Sequence, residues 1–199
     1  MRFTYREKKD LLLAGIMISF AFAILLGEGM RGILTFEARF FTIFAIAFFT
    51  AGLGFLLHEL MHKYVAQQYG LFAEFAASYA MLWLAIAFSF FGFIFAAPGA
   101  VYIRGAITQE RNGKISLAGP LVNIVLAIIF ALALLFFHPE NELWRAFFEV
   151  GLSINSLLAV FNMIPAMPFD GAKVIAWHRG VYVIVTLIAI ALFILSLWW

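Results

Sequence analysis

What most constrains this chain is a series of long apolar runs that carry no charge: Leu11 to Gly27, Phe40 to Leu57, Phe75 to Ile103, Ile115 to Phe137, Val150 to Phe169 and Gly180 to Trp199. About 20 consecutive apolar residues suffice to carry a helix across a bilayer. The whole chain is 65% apolar and only 12% charged, against about 25% charged in a soluble domain. These values exclude a soluble globular domain, a disordered tail, a collagen-like rod and a coiled coil. A net charge of +2 gives no reason to expect a nucleic-acid partner, and the partner expected first is the lipid bilayer. With no cysteine there is neither a disulfide nor a thiolate metal site.

The runs imply an all-α polytopic membrane protein with about five to six transmembrane helices. The expectation is a single membrane-embedded domain over 1–199, with a catalytic core at 40–171 and no separate soluble domain. The basic start and first apolar run lack a convincing small-x-small cleavage site, so they read as an uncleaved first span. Asn112-Gly113 is a turn signal. It predicts a short β-hairpin between the second and third long spans, with arms at Ala100 to Ile103 and Lys114 to Ser116. His138 to Arg145 reads as a short polar loop, and Trp198-Trp199 as an interfacial anchor.

The chemistry lies at His58-Glu59-Leu60-Met61-His62, an HExxH pattern. Residues i and i+4 of a helix share a face one turn apart, so two imidazoles at that spacing can hold one Zn²⁺. Glu59 projects beside them as a base for water. The motif follows the Phe40 run without a break. Ionisable side chains cost roughly 2.5–3.5 kcal/mol each at the centre of a membrane helix, so they are rare there without a use. The bland alternative is a helix end solvated at the interface beside Lys63.

A catalytic zinc normally takes three protein ligands. Asp170 is an acid embedded in another apolar run, within Asn162-Met163-Ile164-Pro165-Ala166-Met167-Pro168-Phe169-Asp170-Gly171. Two prolines cannot continue a helix and Gly171 frees the backbone, so Asp170 is expected on an unwound stretch. By spacing alone, a third ligand and a plain loop aspartate remain equally open.

With these blocks on the page, the sequence resembles the site-2 protease family of intramembrane zinc metalloproteases. HELMH at 58–62 is similar to that family's HExxH. NMIPAMPFDG at 162–171 is similar to its Asn-x-x-Pro…Asp-Gly block, and AGPLVN at 118–123 to the Gly-Pro-x-x-Asn block between them. The resemblance implies zinc ligands at His58, His62 and Asp170 and a general base at Glu59. Phe169 stands where the family more often has Leu, and the apolar insert before Gly119 is a further departure. The chain resembles a minimal form without a PDZ-like or nucleotide-binding module, so no nucleotide is expected.

Shared zinc chemistry requires His58 and Asp170 at one depth. The Phe40 and Val150 runs must then point the same way, and Phe75 to Ile103 must make an even number of crossings. A re-entrant or membrane-associated segment bent at Gly92 or Pro98-Gly99 satisfies this. The positive-inside rule selects the same parity. With a cytoplasmic N-terminus and a returning segment, only Arg31, Arg39 and Arg145 of the 13 basic residues fall outside. A single crossing splits them almost evenly. This arrangement puts the metal toward the cytoplasmic side of a membrane, with a prokaryotic cell membrane as the expected location.

Asn123 and Asn162 are amides inside apolar helices. Each is a candidate to bind substrate backbone or stabilise the oxyanion, with interhelical packing as the alternative. Asn155 reads as packing glue, and His138 and His178 as solvated loop residues. The expected function is hydrolysis of peptide bonds within transmembrane segments of membrane-protein substrates. The competing reading is a membrane metal transporter or sensor that uses the same His/His/Asp site.

Overall fold

The computed structural model describes residues 1–27, 38–94 and 98–199. Among the described residues, five helices are long and apolar enough to cross a membrane: Tyr5–Leu26, Arg39–Gln68, Gln109–Phe137, Glu142–Asn162 and Arg179–Ser196. The elements run α1 (Tyr5–Leu26), α2 (Ala38–Ala47), a π-helical turn (Phe48–Gly52), α3 (Leu53–Gln68), β1 (Phe72–Ala77), α4 (Tyr79–Ser89) and β2 (Gly99–Arg104). They continue with α5 (Gln109–Phe137), α6 (Glu142–Asn162), α7 (Asp170–Trp177) and α8 (Arg179–Ser196). The chain clusters into two compact units, Leu57–Ala73 with Ile103–Trp199 and Arg2–Leu56 with Glu74–Tyr102.

In the second of these units, α1 begins well before its apolar run. Thr4 caps it by accepting from the Glu7 N–H at 3.1 Å. Glu7 and Asp10 are consequently helical and buried. Their carboxylates satisfy the backbone of β1. Glu7 Oε1 accepts from the Phe75 N–H at 2.9 Å, and Asp10 Oδ2 from the Ala77 N–H at 3.3 Å. The Tyr79 hydroxyl donates to Asp10 Oδ1 at 2.6 Å. Phe75 and Ala77 are two apart on a strand, so both N–H groups point the same way.

β1 pairs with β2, and the Ser78 N–H donates to the Pro98 carbonyl at 2.9 Å. The segment between the strands therefore leaves and returns at one sheet. Its helix α4 has 11 residues, about 16 Å of rise, against a hydrocarbon core of roughly 30 Å. That helix is too short to cross on its own. The chain turns after α4 at Gly92, whose φ of 85° suits a residue without a Cβ.

The hairpin arms differ from expectation. The partner of residues 99–104 is 72–77, and Lys114 to Ser116 are helical. Thr108 accepts from the Arg111 N–H at 3.2 Å and starts α5 six residues before the apolar run, so Asn112-Gly113 lies in its first turns. A side-chain cap outcompeted the local turn signal. The same physics shortens the polar loop at 138–145. Asn141 Oδ1 accepts from the Leu143 N–H at 2.9 Å, so α6 begins at Glu142. His178 is likewise a cap, with Nδ1 accepting from the Val181 N–H at 3.2 Å at the start of α8.

The core of the first unit packs Ile124 of α5, Ala159 of α6, Met163, Val174 of α7, and Val185 and Ala189 of α8. A neighbouring cluster joins Ala127, Phe130 and Leu134 of α5 to Leu152 of α6. Small residues among these let helices approach where apolar lipid offers no competing drive for separation.

Candidate metal centre

α3 supplies His58 and His62 from one face, their ring centroids 4.6 Å apart and nearly perpendicular. Asp170 comes from the other end of the unit's sequence. The helix α6 stops at Asn162, and residues 163–169 are irregular, as Pro165 and Pro168 require. Asp170 itself is not on the unwound stretch. It is the first residue of α7, where a carboxylate suits the exposed N–H groups of a helix start. Gly171 is obligatory beside it, because a Cβ there would strike the Met163 carbonyl.

Asp170 Oδ2 lies 3.3 Å from His58 Nε2 and 3.0 Å from His62 Nε2. All three side chains are buried, and their donor atoms lie within 4.8 Å of one another. Three ligands on a tetrahedral zinc at about 2.05 Å stand roughly 3.3 Å apart. Glu59 is buried on the same helix.

The protonation pattern shows why this cluster suits a cation. His62 Nδ1 faces the Ile115 carbonyl at 2.8 Å. A carbonyl only accepts, so Nδ1 carries the proton and Nε2 of the neutral ring presents a bare lone pair. His58 Nδ1 faces Asn123 Oδ1 at 2.6 Å, and the same inference holds. With both rings neutral, two bare nitrogens and a carboxylate oxygen point at one another inside an apolar unit. Such an arrangement repels itself unless positive charge lies among the donors, and the donor set is that of a zinc site.

The two oxygens of the Asp170 carboxylate face different partners. Oδ1 takes the Lys173 ammonium at 3.4 Å. Oδ2 is thereby left facing the two imidazoles. Lys173 carried no sequence signal beyond its place one turn after Asp170.

α5 approaches the pair edge-on. A Cβ on Gly119 would strike Nε2 of both histidines, so only glycine leaves room for a ligand there. Pro120 lies inside α5 rather than at its start. Without an N–H it leaves the Ser116 carbonyl, four residues earlier, without its helical donor, while the neighbouring Ile115 carbonyl faces His62 Nδ1.

Asn123 is fully buried and its carboxamide is engaged on both sides, by His58 and by Asn155. Asn162 is half-buried, and its Nδ2 donates to the Leu158 carbonyl at 2.9 Å, back along its own helix. The structure thus joins His58, His62, Asp170 and Asn123 directly, and draws in Asn155. Asn162 contributes no hydrogen bond to the three metal-site side chains among the described contacts.

The chain is 40% identical over its whole length to "Putative zinc metalloprotease MJ0611" of Methanocaldococcus jannaschii, covering 98% of that protein. It is 30% identical over 66% of its length to "Zinc metalloprotease MJ0392" of the same organism, where the match spans 33% of the relative. A third match is "Putative zinc metalloprotease YwhC" of Bacillus subtilis, 31% identical over 61% of this chain and 63% of the relative. No family model and no solved structure matches the chain.

Proposed function

This chain belongs to the zinc metalloprotease family of those relatives, and from that premise we propose that it is a site-2 protease-like enzyme, hydrolysing peptide bonds within transmembrane segments of membrane proteins. The observation that carries this reading is the buried His58, His62 and Asp170 cluster, together with five membrane-length helices among the described residues. The motif order along residues 58–171 supports the same reading. So does the returning segment between β1 and β2, which lets the HExxH span and the span before Asp170 point the same way.

In this mechanism His58, His62 and Asp170 hold zinc. When bound, the ion supplies Lewis acidity, polarising a peptide carbonyl and acidifying water. Glu59 takes a proton from the attacking water and returns it to the leaving amine nitrogen. The water oxygen bonds to the carbonyl carbon, the C–N bond breaks, and a carboxylate and an amine result. A substrate helix hides its carbonyls in its own hydrogen bonds, so it must unwind locally before one can react. Helix-breaking residues in the substrate therefore favour cleavage. The site works within a single membrane domain whose metal faces the cytoplasmic side, with the N-terminus cytoplasmic. The distribution of basic residues supports that orientation.

The test is Glu59→Gln. It should leave stoichiometric zinc intact and abolish cleavage of a reporter carrying a transmembrane substrate segment. A transporter or sensor using the same ligands needs no base at that position. Cleavage that persists in Glu59→Gln would overturn the proposed mechanism.

A further inference from the structure

The bond between His58 and Asn123 is the first link of a longer chain. Asn123 Nδ2 donates to Asn155 Oδ1 at 3.1 Å, and Asn155 Nδ2 donates to the Gly151 carbonyl at 2.9 Å. Both asparagines have no exposed surface. The two amides sit on different helices, Asn123 on α5 and Asn155 on α6, and the last acceptor belongs to α6 itself. Gly151 is in turn pressed against the Phe130 ring, where a Cβ would clash at 2.6 Å.

The order of these links carries directional information. A carbonyl can only accept, so the Gly151 oxygen selects which end of the Asn155 carboxamide faces it: the NH₂ end. Asn155 then presents its oxygen to Asn123. That oxygen selects the NH₂ end of Asn123, which leaves the Asn123 oxygen facing His58. His58 Nδ1 must accordingly be the donor, and Nε2 is left bare toward Asp170. A single carbonyl of α6 thus sets the tautomer of an imidazole three links away, with no titration involved. His62 reaches the same state in one step, from the Ile115 carbonyl.

We propose that Asn155 is a positioning residue, which fixes the ligand-competent tautomer of His58 by orienting the Asn123 carboxamide. Asn155 is more than helix-packing glue in this account, and Asn123 is a support for a ligand rather than a group that touches substrate. The proposal rests on the reading of His58 as a metal ligand. Groups that orient metal-bound histidines typically change metal affinity by about 10–100-fold when removed.

Zinc affinity of the purified full chain, measured by competition with a chelator, tests it together with His58 tautomer assignment by long-range ¹H–¹⁵N NMR. Asn155→Leu deletes the acceptor that orients Asn123. It should weaken zinc binding about 10–100-fold and raise the Nε2–H tautomer of His58 in the metal-free protein. Asn123→Asp combined with Asn155→Leu should restore affinity to within about threefold, because a carboxylate accepts from Nδ1 whichever way it is turned. A mere packing role for Asn155 cannot be rescued by a change at residue 123. Failure of the double variant to recover affinity, or wild-type affinity in Asn155→Leu, overturns the proposal. If Asn155→Leu does not fold, Asn155→Ala replaces it with the same two expectations. His58→Ala separates the premise from the inference: wild-type zinc affinity there removes His58 as a ligand, whatever Asn155 does.

Discussion

Each unit of this protein buries acidic side chains, and the two treat them in opposite ways. In the unit built on α1, Glu7 and Asp10 each meet donors: the Phe75 and Ala77 N–H groups and the Tyr79 hydroxyl. These acids do the work of a neighbouring strand, closing the backbone of β1 with side-chain oxygens. In the unit that carries HExxH, Asp170 Oδ2 instead faces two imidazole nitrogens whose protons are committed elsewhere. One cluster is complete within the protein, whereas the other has a donor set that could hold a cation. A buried charge is therefore a functional signal only when its neighbours are acceptors. Burial alone does not separate the two cases.

The comparison can be broken most sharply with metal itself. Zinc at a free concentration a thousandfold above its Kd should stabilise the protein by about 4 kcal/mol. Thermal unfolding with zinc and with excess chelator measures this. Equal melting in the two conditions would contradict a cation-completed cluster. Next in size is Gly119→Ala, whose methyl group would enter the space before both Nε2 atoms. It should reduce zinc affinity more than about a hundredfold, beyond what loss of a supporting group costs. Titration against a metal buffer checks it, and near-normal affinity would show that α5 can retreat.

On the other side of the comparison, Glu7→Leu leaves the Phe75 N–H without its carboxylate. It should cost roughly 1–3 kcal/mol of stability and leave the zinc-dependent increment unchanged. A changed increment, read from paired unfolding curves, would mean that the two clusters are energetically linked. The smallest effect expected is for Lys173→Met. Its ammonium is partly exposed and 3.4 Å from Asp170, so the pair is worth less than about 1 kcal/mol. Zinc affinity should shift by less than about fivefold, in either direction. A larger change would make Lys173 a determinant of how Asp170 holds the ion.

Much of this was legible in the residues. The membrane-length helices follow from uncharged runs, because a bilayer admits little else. His58 and His62 follow from helical spacing on a run that continues unbroken. The bent segment between β1 and β2 was expected from the requirement that His58 and Asp170 share one depth, and its short helix and paired ends fit that expectation. The expected hairpin arms did not survive, since Asn112-Gly113 is a local signal and strand pairing is a non-local choice. Thr108 and Asn141 moved helix starts upstream for a similar reason. Capping residues lie outside the apolar runs that mark a span, so the runs understate helix length. Nothing local in the basic start announces that Glu7 and Asp10 will be buried with donors from β1.

The primary structure alone determined the membrane class and singled out His58, Glu59 and His62, because each of these depends on residue type and on periodicity along one element, whereas Asp170 stayed open by spacing and was pointed to by the family resemblance. Tertiary structure alone decided which acceptor faces which donor. The Ile115 carbonyl, the carboxamides of Asn123 and Asn155, and the backbone opening at Gly119 reach the histidines from helices far away in sequence. Hydrogen-bond direction is a property of the assembled neighbours, so which nitrogen of each imidazole carries the proton is settled only once those helices have packed.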